Sequence, residues 1–221
     1  MLRKVKLTEL IDLDNLEYNW DKIESIPEFA NLKECKQNPK WHLEGDVFTH
    51  TKKVCEAILG LINEEYCFNP LTCLAAALFH DIGKGETTFF KEKDQNWHAY
   101  GHEVVGEQMV REMLSDENPV YVNAIARLVR WHMEPLNIKK SKNKIQKLFK
   151  LAKDVTIDDD MLKGSSLRDL LILKESDILG SVQEDKEGWE ADLHFIQTLR
   201  NISEEAGIID KWSHTFDNLL D

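Results

Sequence analysis

The sequence predicts an all-α fold, and three observations carry the prediction. Only ten glycines and five prolines punctuate its 221 residues. No stretch alternates apolar and polar residues for long enough to suggest a sheet. Apolar residues recur instead at the spacing of amphipathic helices. One compact core is expected at this length, because single domains extend to roughly 250 residues before they split.

The first forty residues, Trp20, Ile26 and Phe29 among them, are expected to form short helices packed on the core. From Asp46 to about Asn63, His50, Val54, Ala57, Ile58 and Leu61 follow helical spacing. Asn69-Pro70 interrupts the chain, and Pro70 suits the first turn of a helix over Leu71–His80. Gly101 precedes a third helix striped by His102, Val105, Met109 and Met113. Pro119 opens a fourth, with Val122, Ile125, Val129 and His132 on one face until Pro135 ends it. A helix around Ser166–Leu179 sets Leu170, Leu173 and Asp177 on one side, and Trp189 to about Ala206 reads as the closing helix. Segments 84–99, 135–143 and 158–165 are expected to be loops within one domain. The expected organisation is an N-terminal helical segment at 1–40, a core at 41–185 and a C-terminal helical extension at 186–221.

Composition narrows the function classes. Hydrophobic residues at 42% and charged residues at 31% exclude wholesale disorder. No apolar run approaches the ~20 residues of a membrane-spanning helix, so no membrane partner is expected. The start of the chain is a poor secretory signal, which predicts a cytoplasmic address. Net charge is −12, a surface that repels nucleic acid and anionic membranes as a whole. Lys139–Lys153 departs from it, with seven lysines and no acid, leaving −19 on the other residues. That run reads as a solvated helix face in preference to a patch for an RNA or DNA end. Cys35, Cys55, Cys67 and Cys73 form no Cys-x-x-Cys pair, which argues against a structural zinc or a disulfide scaffold and suits a reducing compartment.

The informative feature is where polar residues interrupt apolar faces. His50, the doublet His80-Asp81, His102, His132 and Asp177 sit at or near the ends of apolar stripes on five helices. A buried imidazole or carboxylate is costly unless it is hydrogen-bonded, paired or bound to a metal. Convergence on one point would cancel that cost for all six, and nitrogen and oxygen donors suit Mn, Fe, Co, Ni or Zn. Taken singly, His132 is more often a satisfied core residue and Asp177 a helix-end charge. The doublet differs, because it runs directly off the apolar Leu74–Phe79 stretch. His42, His98, His194 and His214 lack that context and read as surface or supporting residues.

The order His50, His80-Asp81, Asp177 resembles the HD superfamily of metal-dependent phosphohydrolases. Five strings carry the likeness: Trp-His-Leu-Glu-Gly-Asp-Val-Phe-Thr-His-Thr (41–51), Leu-Phe-His-Asp-Ile-Gly-Lys-Gly (78–85), Tyr-Gly-His-Glu-Val-Val-Gly (100–106), Leu-Val-Arg-Trp-His-Met (128–133) and Glu-Ser-Asp-Ile-Leu-Gly (175–180). They are similar to the HD domain appended to bacterial CCA-adding tRNA nucleotidyltransferases. The likeness covers roughly residues 30–185, without the nucleotidyltransferase module, so CCA addition does not carry over.

The resemblance implies a compact helical HD-domain bundle with a central metal site. It implies hydrolysis of phosphomonoesters or phosphodiesters of nucleotides or nucleic-acid ends by a metal-activated water. Carried over by position, His50, His80, Asp81 and Asp177 bind a first ion. His102 and His132 match the histidines that hold a second, with Asp81 able to bridge. Asp81 and Lys84 become the catalytic candidates, and Lys84 the contact to substrate phosphate. Gly83 and Gly85 are expected to leave the backbone room to approach a ligand. The cofactor implied is one or two divalent ions (Mn, Ni, Co, Fe or Mg, not a structural zinc), and the partner a phosphorylated small molecule or nucleotide. Two alternatives stand beside this: a di-iron HD-type oxygenase and a non-catalytic nucleotide-binding regulatory module. The intact ligand set and Lys84 count against the latter.

Overall fold

A computed structural model of the chain describes residues 2–64, 67–158 and 162–209. Seven helices of ten residues or more build the fold among the described residues: α1 (Val47–Glu64), α2 (Pro70–Phe79), α3 (His102–Met113), α4 (Pro119–Trp131), α5 (Lys144–Val155), α6 (Leu167–Gly180) and α7 (Lys186–Glu205). Their starts follow from local chemistry. The Asn69 side chain accepts from Thr72 N–H ahead of α2, and Asn118 from Val120 N–H ahead of α4, each followed by a first-turn proline. Ser166 and Asp169 cap α6 reciprocally.

The core is centred on α2, buried from Thr72 through Phe79 and packed against α1, α4 and α6. α6 lies along α1, and α3 along α4. Two glycines bring these elements into main-chain contact. A Cβ on Gly180 would stand 2.7 Å from Val54 N. A Cβ on Gly83 would stand 2.6 Å from Gly106 N and closer still to the His102 carbonyl oxygen. The room at Gly83 is therefore filled by α3, not held open for a ligand as the sequence suggested. At Gly85 the neighbour is the Leu32 side chain, 3.6 Å away.

Among the described residues three antiparallel hairpins depart from the purely helical expectation: Ile11–Asp12 with Glu17–Tyr18, Phe89–Lys91 with Asn96–His98, and Ile157–Asp158 with Lys163–Ser165. Strands of two or three residues are too short to show a period of two in sequence. The middle hairpin and a helical turn at Lys84–Thr87 occupy segment 84–99, expected to be a loop. Pro135 lies in the first turn of a short helix, Glu134–Asn137, beyond the end of α4. The expected loop at 158–165 lies partly outside the described residues.

The N-terminal segment combines short helices with the first hairpin and buries Ile23, Ile26, Phe29 and Leu32, with the Phe29 ring 5.1 Å from that of Phe79. In α5, Leu148, Leu151 and Val155 face the core while Lys147, Lys150 and Lys153 are exposed. No helix of the described residues is long and apolar enough to cross a membrane. The four cysteines are buried and free.

Candidate metal centre

Asp81 sits one residue past the end cap of α2, at the focus of the helix ends. Its two oxygens face different histidines. Oδ2 is 3.2 Å from His80 Nε2 and 3.8 Å from His50 Nε2. Oδ1 is 3.3 Å from His102 Nε2 and 3.8 Å from His132 Nε2. His50 comes from the first turn of α1, His102 from the start of α3 and His132 from the end cap of α4. α6 delivers Asp177, whose Oδ1 is 3.0 Å from His50 Nε2 and 3.9 Å from His80 Nε2. The main-chain seam at Gly180 and Val54 lies about one turn beyond this pair on both helices, so it sets their separation.

Three of the histidines are oriented by one device. His80, His102 and His132 each donate Nδ1–H to the carbonyl three residues earlier: Ala77 at 2.8 Å, Ala99 at 2.8 Å and Val129 at 2.7 Å. A carbonyl can only accept, so the proton is on Nδ1 and Nε2 presents a lone pair. His80 Nε2 is buried and makes no hydrogen bond. His102 Nε2 and His132 Nε2 are 3.3 Å apart. Two lone pairs at that distance repel unless a cation or an added proton lies between them. The donor set is nitrogen and oxygen without thiolate, which fits a divalent ion. Asp81 belongs both to a group with His50 and His80 and to one with His102 and His132, either of which could hold a metal ion.

Lysines complete the electrostatics. Lys84 Nζ is 2.7 Å from Asp81 Oδ2 and donates to Gln37 Oε1 at 2.8 Å. Lys174 Nζ is 2.6 Å from Asp177 Oδ2. Burial pushes the Asp81 carboxyl up, but the Lys84 ammonium and the adjacent His80 and His102 side chains outweigh it and hold it well below the usual range. Asp177 is likewise held well down against burial, chiefly by Lys174 and His50. Burial alone would depress His50, yet its contacts with Asp177 and Glu44 and the charge of Asp81 raise it to about 9. His132 moves well below the ordinary value through burial and the neighbouring His102 and His80. A cavity of about 340 Å³ opens onto Asp81, Lys84, His102, His132, Lys174 and Asp177.

The structure thus gathers His50, His80, Asp81, Lys84, His102, His132 and Asp177, the full set expected from sequence, at one place. It adds two residues that the sequence reading passed over. Glu44, its side chain fully buried, brings Oε1 within 2.8 Å of His42 Nδ1 and 2.9 Å of His50 Nδ1. The contact with Glu44 is one of those that raise His50. Lys174 is the other. Its spacing of three before Asp177 on one helix was the available signal. His42 supports the centre through Glu44, His98 pairs with Asp94 at 3.1 Å on the middle hairpin, and His194 is exposed. His214 lies outside the described residues.

An all-α bundle whose helix ends converge on a histidine–aspartate cluster able to hold metal defines the class of protein. The chain belongs to the HD domain family, whose family model matches residues 47–213. Over 88 residues, 40% of the chain, it is 42% identical to the "Multifunctional CCA protein" of Actinobacillus pleuropneumoniae serotype 5b, covering 20% of that protein. Over 167 residues, 75% of the chain, it is 29% identical to the "CC-adding tRNA nucleotidyltransferase" of Thermus thermophilus, covering 34% of it. The chain therefore spans between a fifth and about a third of the length of these curated relatives. No solved structure matches it.

Proposed function

We propose that the chain is a metal-dependent phosphohydrolase that cleaves phosphomonoesters or phosphodiesters of nucleotides or nucleic-acid ends. The observation that carries the reading is the position of Asp81, with one oxygen toward His50 and His80 and the other toward His102 and His132. His50, His80, Asp81 and Asp177 would hold one divalent ion, and Asp81, His102 and His132 a second. Ions bound there would supply water activation and neutralisation of phosphoryl charge. The carbonyl hydrogen bonds of His80, His102 and His132 keep their Nε2 lone pairs turned to the centre. Lys174 neutralises the outer oxygen of Asp177. Lys84 neutralises Asp81 and lines the cavity, so its ammonium is placed to shift to a substrate phosphate.

The core of this activity is assigned to 41–185, flanked by helical segments at 1–40 and 186–221, in a cytoplasmic setting suited to four free cysteines. The names of the relatives, which refer to tRNA and CCA, support a nucleic-acid end as one substrate. The test is metal analysis followed by a phosphoester panel with Mn, Ni, Co, Fe or Mg. Ester cleavage that chelation abolishes is expected. A metal-replete protein inert toward every ester would overturn the reading, and iron-dependent colour with oxygen uptake would establish the oxygenase alternative.

A further inference from the structure

A second cavity, about 320 Å³, adjoins the one over the metal centre and shares Trp41, His42, Lys84, His102 and Met133 with it. The two walls differ in charge. The first includes Asp81, Asp177 and Asp192. The second adds Lys36, Gln37, Asn38 and Trp97 and has no carboxylate among its described lining residues. In a chain with 40 acidic and 28 basic residues, a wall with two lysines and no acid is a local reversal of sign. Cations belong in the first cavity, and the second suits an organic anion.

Its aromatic content narrows that anion. Trp41 is 41% exposed, a large apolar surface left to water beside the centre. Trp97, on the middle hairpin, is half-buried, with its ring set edge-on against Phe90 at 5.2 Å. Lysines attend both indoles: Lys40 Nζ is 4.7 Å from the Trp41 ring centre and Lys36 Nζ 5.9 Å from that of Trp97. Aromatic faces flanked by cations favour a flat base attached to phosphate. Amides of Gln37 and Asn38 on the same wall can meet the polar edge of such a base. Lys84 joins the two cavities, since it contacts Asp81 on one side and Gln37 on the other.

We propose that the second cavity is a nucleobase subsite, in which Trp41 and Trp97 stack the base of a nucleotide whose phosphate lies at Lys84. This rests on the phosphohydrolase reading for its orientation, but binding can be measured without turnover. The experiment is equilibrium dialysis of the full chain, metal-loaded, against AMP and against ribose 5-phosphate, each as the phosphonate analogue that has no ester bond to cleave. The wild type should bind AMP at least about tenfold more tightly, a loss or gain within the range of one base stack. Trp97→Ala should remove that preference and leave ribose 5-phosphate binding unchanged, whereas Trp97→Phe, which keeps a ring and the hairpin packing, should retain most of it. Absence of a base preference in the wild type, or a preference that survives both Trp97→Ala and Trp41→Ala, would overturn the subsite. Base-selective binding by a protein that cleaves no ester would sink the hydrolase reading alone. Cleavage without base selectivity would sink the subsite alone. A trinucleotide with the same terminal base and phosphate separates the sources: binding comparable to AMP assigns the cavity to free nucleotides, and much tighter binding to a polymer end.

Discussion

On the two sides of Asp81 the imidazoles are held alike and charged differently. His80 on one side, and His102 and His132 on the other, are turned inward by the same carbonyl hydrogen bond. The His50–His80 side also has Asp177, neutralised by Lys174, and Glu44 beside His50. There Lys84 also contacts Asp81 Oδ2, and contacts with Asp177 and Glu44 raise His50 to about 9. On the other side Asp81 Oδ1 is the carboxylate oxygen facing both Nε2 atoms, and burial drives His132 toward neutrality. The contrast is one of carboxylates, since two imidazoles face each oxygen of Asp81 and Asp177 is added on the His50 side. The His50 side should hold the tighter ion.

Removing the shared residue gives the largest expected effect. Asp81→Ala should lose metal from both positions and abolish turnover. Retention of more than about a tenth of wild-type activity, ~1.4 kcal/mol in barrier, would reject the role of Asp81. Lys84→Ala should keep its metal and lose about 2–4 kcal/mol of transition-state stabilisation, measured as kcat/KM with metal content checked in parallel. Loss of the ion in that variant would make Lys84 structural. The double change His102→Ala with His132→Ala sharpens the ranking: calorimetric titration with Mn should lose the weaker event and keep the stronger.

The smallest effect is one of pH on the metal-free chain. His50 lies at about 9 in the fold against 6.5 in a free imidazole. The folded chain therefore holds a proton that the unfolded chain releases. That stabilisation is complete below pH 6.5 and is lost as pH rises through 9. The thermal midpoint should fall across this window, by about 2–4 °C for each kcal/mol lost. Glu44→Gln should flatten the slope, because it removes one of the charges that raise His50. An unchanged slope in that variant would remove Glu44 from the account.

Much of this centre was legible in sequence because its residues break apolar periodicity. The doublet His80-Asp81 stands out after six apolar residues, and caps at Asn69, Asn118 and Ser166 fix the helices that carry candidate ligands. Glu44 was not legible. It lies in a non-periodic stretch, and its Oε2 accepts from Val182 N–H, 138 residues away. Lys174 shares a face with Asp177, yet a lysine in an apolar helix reads as a surface residue until the pair is seen buried. Gly83 was misread because a glycine shows that something approaches closely without showing what. The hairpin bearing Trp97 was too short to announce itself.

The glycine seams have a consequence for how the centre tolerates change. At Gly83 against α3 the nearest atoms are main chain, so no side chain there can be trimmed or enlarged to alter the gap; at Gly180 against α1 the Val54 main chain stands beside its own Cγ2. The thickness of a polypeptide backbone is thus the gauge that spaces Asp81 from His102 and His50 from Asp177. Hydrophobic residues elsewhere in the interior can be exchanged, with their volumes compensated, while the aperture between these four side chains stays at its set width.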